Sequence, residues 1–397
     1  MGQLFTPITL REVTVRNRVW VAPMCQYSAA DGLPDDWHLV HLGSFARGGA
    51  GLVFTEATAV TPEGRISPQD TGIWNDEQQA AWAGIVEFVH RQGATAGMQL
   101  GHAGRKASTY SGFTGRRGGV ADADGGWRPV APSAEPFPGL RQDPKALDLA
   151  GVAGIVTAFG DAAERAIAAG FDVLEIHAAH GYLLHQFLSP LSNHRDDAYG
   201  GPFDNRARLL LEIVREVRSR VAAGVPVIVR VSATDWVEGG WTDDESVRLA
   251  GLLRGEGADL IDTSTGGNVL ADIPVEPGYQ VPFARRIRAE ADIPTGAVGL
   301  ITDQQEHGDS SEVRALQQRE RGGDGRGDRA ERQHEGGGRT QSDAGDQPDA
   351  EPGLCEQRDV PAGPVHRDCW GDERADGGQR EQGHPQVDAE QSRHPGR

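Results

Sequence analysis

Cysteine is scarce in this 397-residue chain, and lysine is scarcer still. The three cysteines are Cys25, Cys355 and Cys369, so the first 303 residues hold a single thiol and cannot form an internal disulfide. Such usage suits a reducing compartment, and we expect a cytoplasmic protein. The two lysines are Lys106 and Lys145, which leaves arginine to carry almost all of the positive charge.

Long apolar runs and an excess of positive charge are also lacking. No run approaches the roughly 20 apolar residues that cross a bilayer, and Met1 leads straight into domain-like sequence rather than into a leader. Asp and Glu number 58 against 39 Lys and Arg, a formal net charge of −19. An acidic chain that lacks a row of basic residues does not neutralise the phosphates of a nucleic acid. We therefore expect neither a membrane nor a nucleic-acid partner.

Short apolar runs alternate with longer segments of helical periodicity, which is typical of a parallel α/β sheet. The pattern predicts seven strands, at residues 18–22, 51–55, 95–100, 171–176, 225–231, 260–263 and 295–298. It predicts helices at residues 38–47, 76–92, 147–169, 205–222, 243–255 and 282–291. No GxGxxG follows a strand at the spacing of a dinucleotide site.

The end of the fourth predicted strand carries the most informative residues. His177, His180 and Tyr182 follow the apolar run 171–176. Barrels of parallel strands place catalytic groups at strand ends of this kind. Two imidazoles can bind one substrate oxygen, and a phenol can transfer a proton. A pair of structural histidines is the alternative, and a zinc pair is disfavoured because no cysteine or carboxylate stands at ligand spacing.

The run SPLSNHRDDAYGGPFDNR, at residues 189–206, resembles the signature of the Old Yellow Enzyme family of flavin-dependent ene-reductases. The resemblance continues in register from Leu4 to about Asp303, in LFTPITLREVTVRNRVWVAPMCQYSA, MQLGHAGRKA, VRVSATDW and PTGAVGLITD. Cys25, Tyr27 and the two-histidine HxxHGY motif resemble the bacterial thermophilic-like branch. This implies a (β/α)8 TIM barrel in residues 1–303, with the long Gly/Pro-rich stretch 111–144 as a lid or insertion over its mouth.

The resemblance also implies which residues hold FMN. The expected flavin contacts are Ala22, Pro23, Met24 and Cys25 beneath or beside the ring, Ala57 against it, Gln99 at its pyrimidine edge, Arg230 on the side where negative charge gathers on reduction, and Gly299 toward the phosphate. For Arg230 the alternative is a salt bridge to a barrel carboxylate. For Cys25 it is a small buried apolar filler. Lys106 resembles a family lysine near the site, and an ordinary surface lysine is its alternative.

The activity that the resemblance implies is reduction of an activated C=C bond in a small molecule such as an enone, enal, maleimide or nitroalkene. NADPH or NADH would deliver hydride to FMN, and the reduced flavin would pass it to the alkene. His177 and His180 would bind the activating oxygen, with Tyr27 beside it, while Tyr182 protonates the neighbouring carbon. Family members form homodimers or homotetramers in which a C-terminal arginine reaches a neighbour's site, and that segment does not match here.

The chain changes character after Asp303. Residues 304–397 contain no Ile, Phe, Met, Tyr or Lys. A segment this polar cannot bury enough apolar surface to offset its loss of chain entropy. We expect a disordered tail with at most a short helix at residues 311–319, and therefore a barrel without its eighth strand. Translation in a shifted reading frame is favoured as its origin, with a natural acidic tail as the alternative.

Family members continue past this point with a helix, an apolar strand and a Gly-Arg pair that binds the flavin phosphate. The sequence does not show that succession. The alternative function is therefore a catalytically impaired barrel remnant that binds flavin weakly or not at all.

Overall fold

A computed structural model of the chain describes residues 3–140 and 143–302, together with the backbone of a short strand at Val313–Leu316. The described residues lie within one compact unit, Met1–Gly325. Apart from that strand, the segment 304–397 lies outside the described residues, so its disorder stays a prediction.

Eight parallel strands close into a barrel, which confirms the TIM-barrel prediction. The N-terminal hairpin comes first, with β1 (Ile8–Leu10) antiparallel to β2 (Val13–Val15). The first seven barrel strands are β3 (Val19–Val21), β4 (Leu52–Ala59), β5 (Thr95–Gly101), β8 (Val173–Ala178), β9 (Val227–Ser232), β10 (Leu260–Ser264) and β11 (Thr295–Ala297). Each matches a predicted strand, because parallel strands are buried on both faces and appear in sequence as nearly continuous apolar runs.

The eighth place in the barrel is filled, and the prediction of a missing strand was wrong on this point. Strand β12 (Val313–Leu316) pairs in parallel with β11 on one side and with β3 on the other. Within the short helix predicted at residues 311–319, the described residues Val313–Leu316 form a strand instead. Two open sheet edges offer backbone partners to any extended segment within reach, and this outweighs the weak local preference of four residues.

Seven helices surround the described barrel. They are α1 (Asp36–Arg47), α2 (Asp76–Arg91), α3 (Leu149–Ala168), α4 (Leu183–Leu188), α5 (Phe203–Arg220), α6 (Asp243–Gly255) and α7 (Val281–Ala291). Asp35, Asn75, Asp148 and Thr242 cap the first turns of four of them through their side-chain oxygens. Helix α4 was not predicted, because six residues that are all buried show no helical period. None of these helices combines the length and apolar character that crossing a membrane requires.

Side chains alternate along each strand between the barrel interior and the layer of helices. On β8, Leu174 and Ile176 join the apolar core that packs against the helices, whereas Glu175 and His177 alternate with them. The hairpin of β1 and β2 contributes Leu10 and Val15 to a second cluster at the N-terminal half of the barrel. The C-terminal ends of the strands are thus left for polar groups.

The described residues 111–140 and 143–144 form an insertion, with one short strand inside it and another directly after it. Strand β6 (Val130–Ala131) pairs with β7 (Lys145–Ala146). Within the insertion, the ring of Phe113 contacts that of Tyr27 at 5.8 Å, and the ring of Phe137 lies 4.8 Å from Lys106 Nζ. The insertion therefore lies against residues that follow β3 and β5, as expected for a cover over the barrel mouth.

Candidate active site

The turn after β8 brings three of the predicted site residues together. The His177 ring lies 5.1 Å from the His180 ring and 5.0 Å from the Tyr182 ring, centroid to centroid. His180 has a φ of +58°, and Gly181 one of +70°. A Cβ on Gly181 would stand 2.2 Å from the carbonyl oxygen of Gly267, so only glycine allows this tight approach.

The two histidines have different hydrogen-bond partners. His180 Nε2 lies 2.7 Å from Ser264 Oγ, which in turn lies 3.0 Å from Gln280 Oε1. His177 Nδ1 is buried and has no hydrogen-bond partner among the described residues. Burial, followed by the charge of Arg230, holds the pKa of both rings well below 6.5. Both imidazoles are therefore neutral near pH 7 and can each donate one N–H.

Lys106 reaches the same turn from the end of β5. Its Nζ donates to the carbonyl oxygens of His180 at 2.8 Å and Gly267 at 3.1 Å, and it lies 5.1 Å from the centre of the Tyr182 ring. Burial, with the charge of Arg105, lowers the pKa of Lys106 to about 8. Of the two interpretations from sequence, the structure supports a lysine near the site.

Arg230 lies beside His177 in the barrel interior, since the two residues are register partners on β9 and β8. Its Nε is 3.2 Å from Asp262 Oδ2, so the salt bridge considered from sequence is present. Its Nη2 is buried without a hydrogen-bond partner among the described residues. The Nε also lacks a hydrogen bond of good geometry despite this ion pair, so the guanidinium is held by charge and keeps buried donors for another group.

Two more side chains of the barrel interior, those of Gln99 and Glu175, are hydrogen-bonded to each other. Gln99 Nε2 donates to Glu175 Oε1 at 2.6 Å, so the predicted flavin contact Gln99 is already bonded on one side. Burial, with the neighbouring charge of Asp262, raises the pKa of Glu175. Burial also raises the pKa of Asp262. The two carboxyl groups therefore compete for the single positive charge of Arg230.

The predicted ring contacts Ala22, Pro23, Met24 and Cys25 follow β3 directly, with Tyr27 two residues further on. Cys25 is a partly buried thiol. Tyr27 has a φ of +52°, an uncommon conformation for a tyrosine. Ala57, on the neighbouring strand β4, is the register partner of Gln99. These residues therefore lie at adjacent strand ends, on the same rim as His177.

Sequence reasoning missed the residues that hold this segment. Glu56 Oε2 accepts from the backbone N–H of Gln26 at 2.9 Å, and Glu56 Oε1 lies 3.0 Å from His38 Nε2. His38 Nδ1 lies 2.9 Å from Asp35 Oδ1 at the start of α1. The only sequence feature that pointed to Glu56 was a charged residue within an apolar strand. Its partners lie 18 to 30 residues away in sequence.

Gly299 lies two residues after the end of β11 and has a φ of +106°. A Cβ there would stand 2.8 Å from atoms of Gln280 and Tyr279, so the backbone passes very close to the start of α7. Gln280 Nε2 also donates to the carbonyl oxygen of Val298 at 3.1 Å. Because Gln280 Oε1 also contacts Ser264, a path of hydrogen bonds connects Val298, the neighbour of Gly299, to His180.

Comparison with known proteins agrees with this geometry. A model of the NADH:flavin oxidoreductase / NADH oxidase family matches residues 3–315. The chain belongs to this family. An NADPH dehydrogenase of Listeria innocua is 49% identical over 304 residues, which cover 76% of this chain and 85% of that protein. The NADPH dehydrogenase of Bacillus subtilis is 48% identical over 303 residues, covering 76% and 84%.

Solved structures of the same family share the fold. A complex of morphinone reductase with tetrahydroNAD aligns with a TM-score of 0.66 at 29% identity, over 80% of this chain and 86% of that one. An Old Yellow Enzyme homologue from Zymomonas mobilis aligns with a TM-score of 0.65 at 27% identity, over 79% and 88%. The chain is thus a flavin-dependent NAD(P)H oxidoreductase of the Old Yellow Enzyme type, a family whose cofactor is FMN.

The residues on the ring side of the site fit an FMN. The unpartnered Nη2 of Arg230 supplies a buried donor for an electron-rich ring edge. On the phosphate side, the tight backbone at Gly299 is the feature that the described residues provide. The ring contacts and Gly299 keep their assigned roles as predictions.

Proposed function

We propose that the chain reduces electron-poor C=C bonds, in substrates such as enones, enals, maleimides and nitroalkenes. The observation that carries this proposal is the convergence of His177, His180 and Tyr182 at one strand end, beside Arg230. FMN, when bound, supplies the hydride that it takes from NADPH or NADH. The residues of the chain then have to bind the substrate oxygen and supply a proton.

His177 and His180 bind the activating oxygen of the substrate and draw electron density from the alkene. His180 can donate to that oxygen from Nδ1 only when its Nε2 accepts a hydrogen bond from the Ser264 hydroxyl. The Ser264 hydroxyl can rotate from Gln280 Oε1 toward His180 Nε2. Gln280 Oε1 then still accepts a hydrogen bond from Thr265 Oγ at 2.9 Å. Tyr27 contacts the substrate beside the two rings.

Tyr182 donates the proton to the carbon next to the activating group. Its ring lies against that of His177, and its phenol is the weakly acidic group of this turn. Lys106 Nζ lies 5.1 Å from the centre of the Tyr182 ring. Lys106 also binds the carbonyl oxygen of His180, so one side chain orients both parts of the turn.

The experiment is anaerobic turnover of NADPH with 2-cyclohexen-1-one in the presence of excess FMN, followed by product analysis. We expect cyclohexanone, with deuterium at the α-carbon when the solvent is D2O. Formation of cyclohexenol, or NADPH oxidation that depends on oxygen alone, would disprove reduction of the C=C bond.

A second candidate is a barrel that retains the family fold but binds FMN too weakly to turn over. The observation that favours it lies in the sequence after Asp303, which does not continue with the phosphate-binding features of the family. Measured FMN affinity separates the two candidates.

A further inference from the structure

The peptide bond that links His180 to Gly181 is held at both ends by side chains. Lys106 Nζ donates to its carbonyl oxygen at 2.8 Å, and His185 Nδ1 accepts from its N–H at 2.9 Å. This peptide lies directly between the His180 ring, proposed to bind the substrate oxygen, and Tyr182, proposed to supply the proton. Its orientation therefore affects the position of both side chains.

The turn has a conformation that needs support from outside. His180 and Gly181 both have a positive φ, of +58° and +70°. A positive φ in a residue other than glycine costs free energy, and it persists where surrounding contacts determine the conformation. Tyr182 is the N-cap of α4 but makes no capping hydrogen bond with its own side chain. The side chains that bind the His180–Gly181 peptide supply such contacts.

His185 is the member of this arrangement to which the proposed reaction gives no role. It lies on α4, and its side chain is fully buried. Because Nδ1 accepts a hydrogen bond from Gly181, the ring carries its single proton on Nε2. Nε2 in turn lies 3.1 Å from Asp235 Oδ1.

Asp235 favours this tautomer of His185. Its Oδ2 accepts from Ser189 Oγ at 2.6 Å and from the backbone N–H of Trp241 at 2.9 Å. Burial alone would raise the pKa of Asp235, but the contacts with His185, Ser189 and Trp241 outweigh it and lower that pKa. The carboxylate is therefore ionised near pH 7. Its contact with Nε2 lacks the geometry of a good hydrogen bond, so the attraction is mainly between its charge and the N–H dipole.

We propose that His185 is a positioning residue for the catalytic turn, holding the N–H of Gly181 while Lys106 holds the carbonyl oxygen of His180. Asp235 keeps the proton of His185 on Nε2, so that Nδ1 stays an acceptor. His185 then acts on the reaction only through the backbone that carries His180 and Tyr182. The inference rests on the proposed function to the extent that these two residues act on the substrate.

The first test is NMR of the deuterated full-length protein, labelled with ¹⁵N in glycine and histidine. We expect a scalar coupling across the hydrogen bond between the Gly181 amide nitrogen and His185 Nδ1, with His185 protonated on Nε2 at pH 7. A His185 protonated on Nδ1, or the absence of that coupling, would overturn the proposal. The measurement needs no turnover, so failure of the wild-type protein to reduce the alkene while the coupling is present would disprove only the proposed function.

Two variants of His185 separate its two contacts. In His185→Asn the amide oxygen takes the place of Nδ1 and still accepts from Gly181. In His185→Gln the amide N–H takes the place of Nε2, and Gly181 loses its acceptor. Both variants remove the ring of a fully buried residue, so lost packing is common to the two.

The readout is the rate at which 2-cyclohexen-1-one reoxidises the reduced flavin, in the presence of excess FMN. We expect this rate to be about 10- to 100-fold lower in His185→Gln than in His185→Asn, because a displacement of about 1 Å at a reacting group can cost roughly 10²-fold. Equal rates in the two variants would contradict the role of His185, since a purely structural contribution would not distinguish them.

Discussion

Tyr182 is the residue whose replacement should separate the two halves of the reaction. Tyr182→Phe removes the proton donor and keeps the ring that packs against His177. General acid catalysis contributes about 10²- to 10⁴-fold, so alkene reduction should slow by that factor while flavin reduction by NADPH stays unchanged. Stopped-flow absorbance with excess FMN measures both steps.

The matched control for that variant is Tyr199→Phe. The Tyr199 hydroxyl donates to Glu212 at 2.9 Å, in a loop that supplies none of the proposed catalytic residues. It should leave both steps near their wild-type rates. Equal slowing of the two half-reactions in Tyr182→Phe would contradict the assignment of Tyr182 as the acid.

Arg230 contributes to the stability of the fold in addition to its proposed role beside the flavin. Arg230→Met leaves Asp262 and Glu175 buried without their cation, and breaking a buried pair in this way costs about 3–5 kcal/mol. Because both carboxyl groups have raised pKa values, they take up protons at lower pH, and the loss should be larger at pH 8 than at pH 6. Urea denaturation at the two pH values measures it.

An exposed arginine provides the comparison for Arg230. Arg91 pairs with Glu87 on the surface of α2, where both side chains are more than half exposed. Arg91→Met should therefore cost at most about 1 kcal/mol at either pH. A cost for Arg230→Met as small as this would show that the interior carboxyl groups do not depend on the guanidinium.

At the scale of elements, α1 and β4 are joined by the contact of His38 with Glu56. Burial alone would lower the pKa of His38, but its hydrogen bonds and attraction to Glu56 and Asp35 outweigh this and raise the pKa above 6.5. A raised pKa means that the protonated ring stabilises the fold. This contribution is fully present below the unfolded-state pKa of about 6.5 and is lost as pH rises through the folded-state pKa.

We predict that replacing His38 changes how the stability of the protein depends on pH. Wild-type protein should lose more stability between about pH 6 and pH 9 than His38→Gln does, as judged by urea midpoints. His90→Gln, which removes a half-exposed pair with Asp172, should keep the wild-type slope. Parallel slopes for wild type and His38→Gln would mean that His38 is not protonated in the folded protein.

The elements also show how far the sequence could predict this molecule. Seven strands and the gathering of His177, His180 and Tyr182 were predicted, because buried parallel strands have a strong local pattern and strand ends carry catalytic groups. The strand at Val313–Leu316 was not, since its pairing depends on two distant strand edges rather than on its own residues. The contact of Glu56 with the Gln26 backbone was missed for the same reason.

For the whole molecule, the decisive quantity is how much of the FMN affinity comes from the phosphate. A phosphate monoester carries about −1.5 to −2 charges near pH 7, and barrels of this kind hold it with backbone N–H groups and helix N-termini after the seventh and eighth strands. By resemblance, an arginine after the eighth strand completes the family's site. Here β12 is followed by Gln317 and Gln318 instead of the Gly-Arg pair.

The expected consequence is weak discrimination between FMN and riboflavin, which lacks the phosphate. Each charge-assisted hydrogen bond that is not formed costs about 1.5–3 kcal/mol, so two of them remove roughly two to four orders of magnitude of preference for FMN. We expect the full-length chain to prefer FMN over riboflavin by less than about a hundredfold, as measured by quenching of flavin fluorescence. Because both ligands share the ring contacts near Arg230, their ratio isolates the phosphate from the rest of the site. A larger preference, with submicromolar FMN binding, would show that this chain has a complete phosphate site and would favour the working enzyme over the impaired barrel.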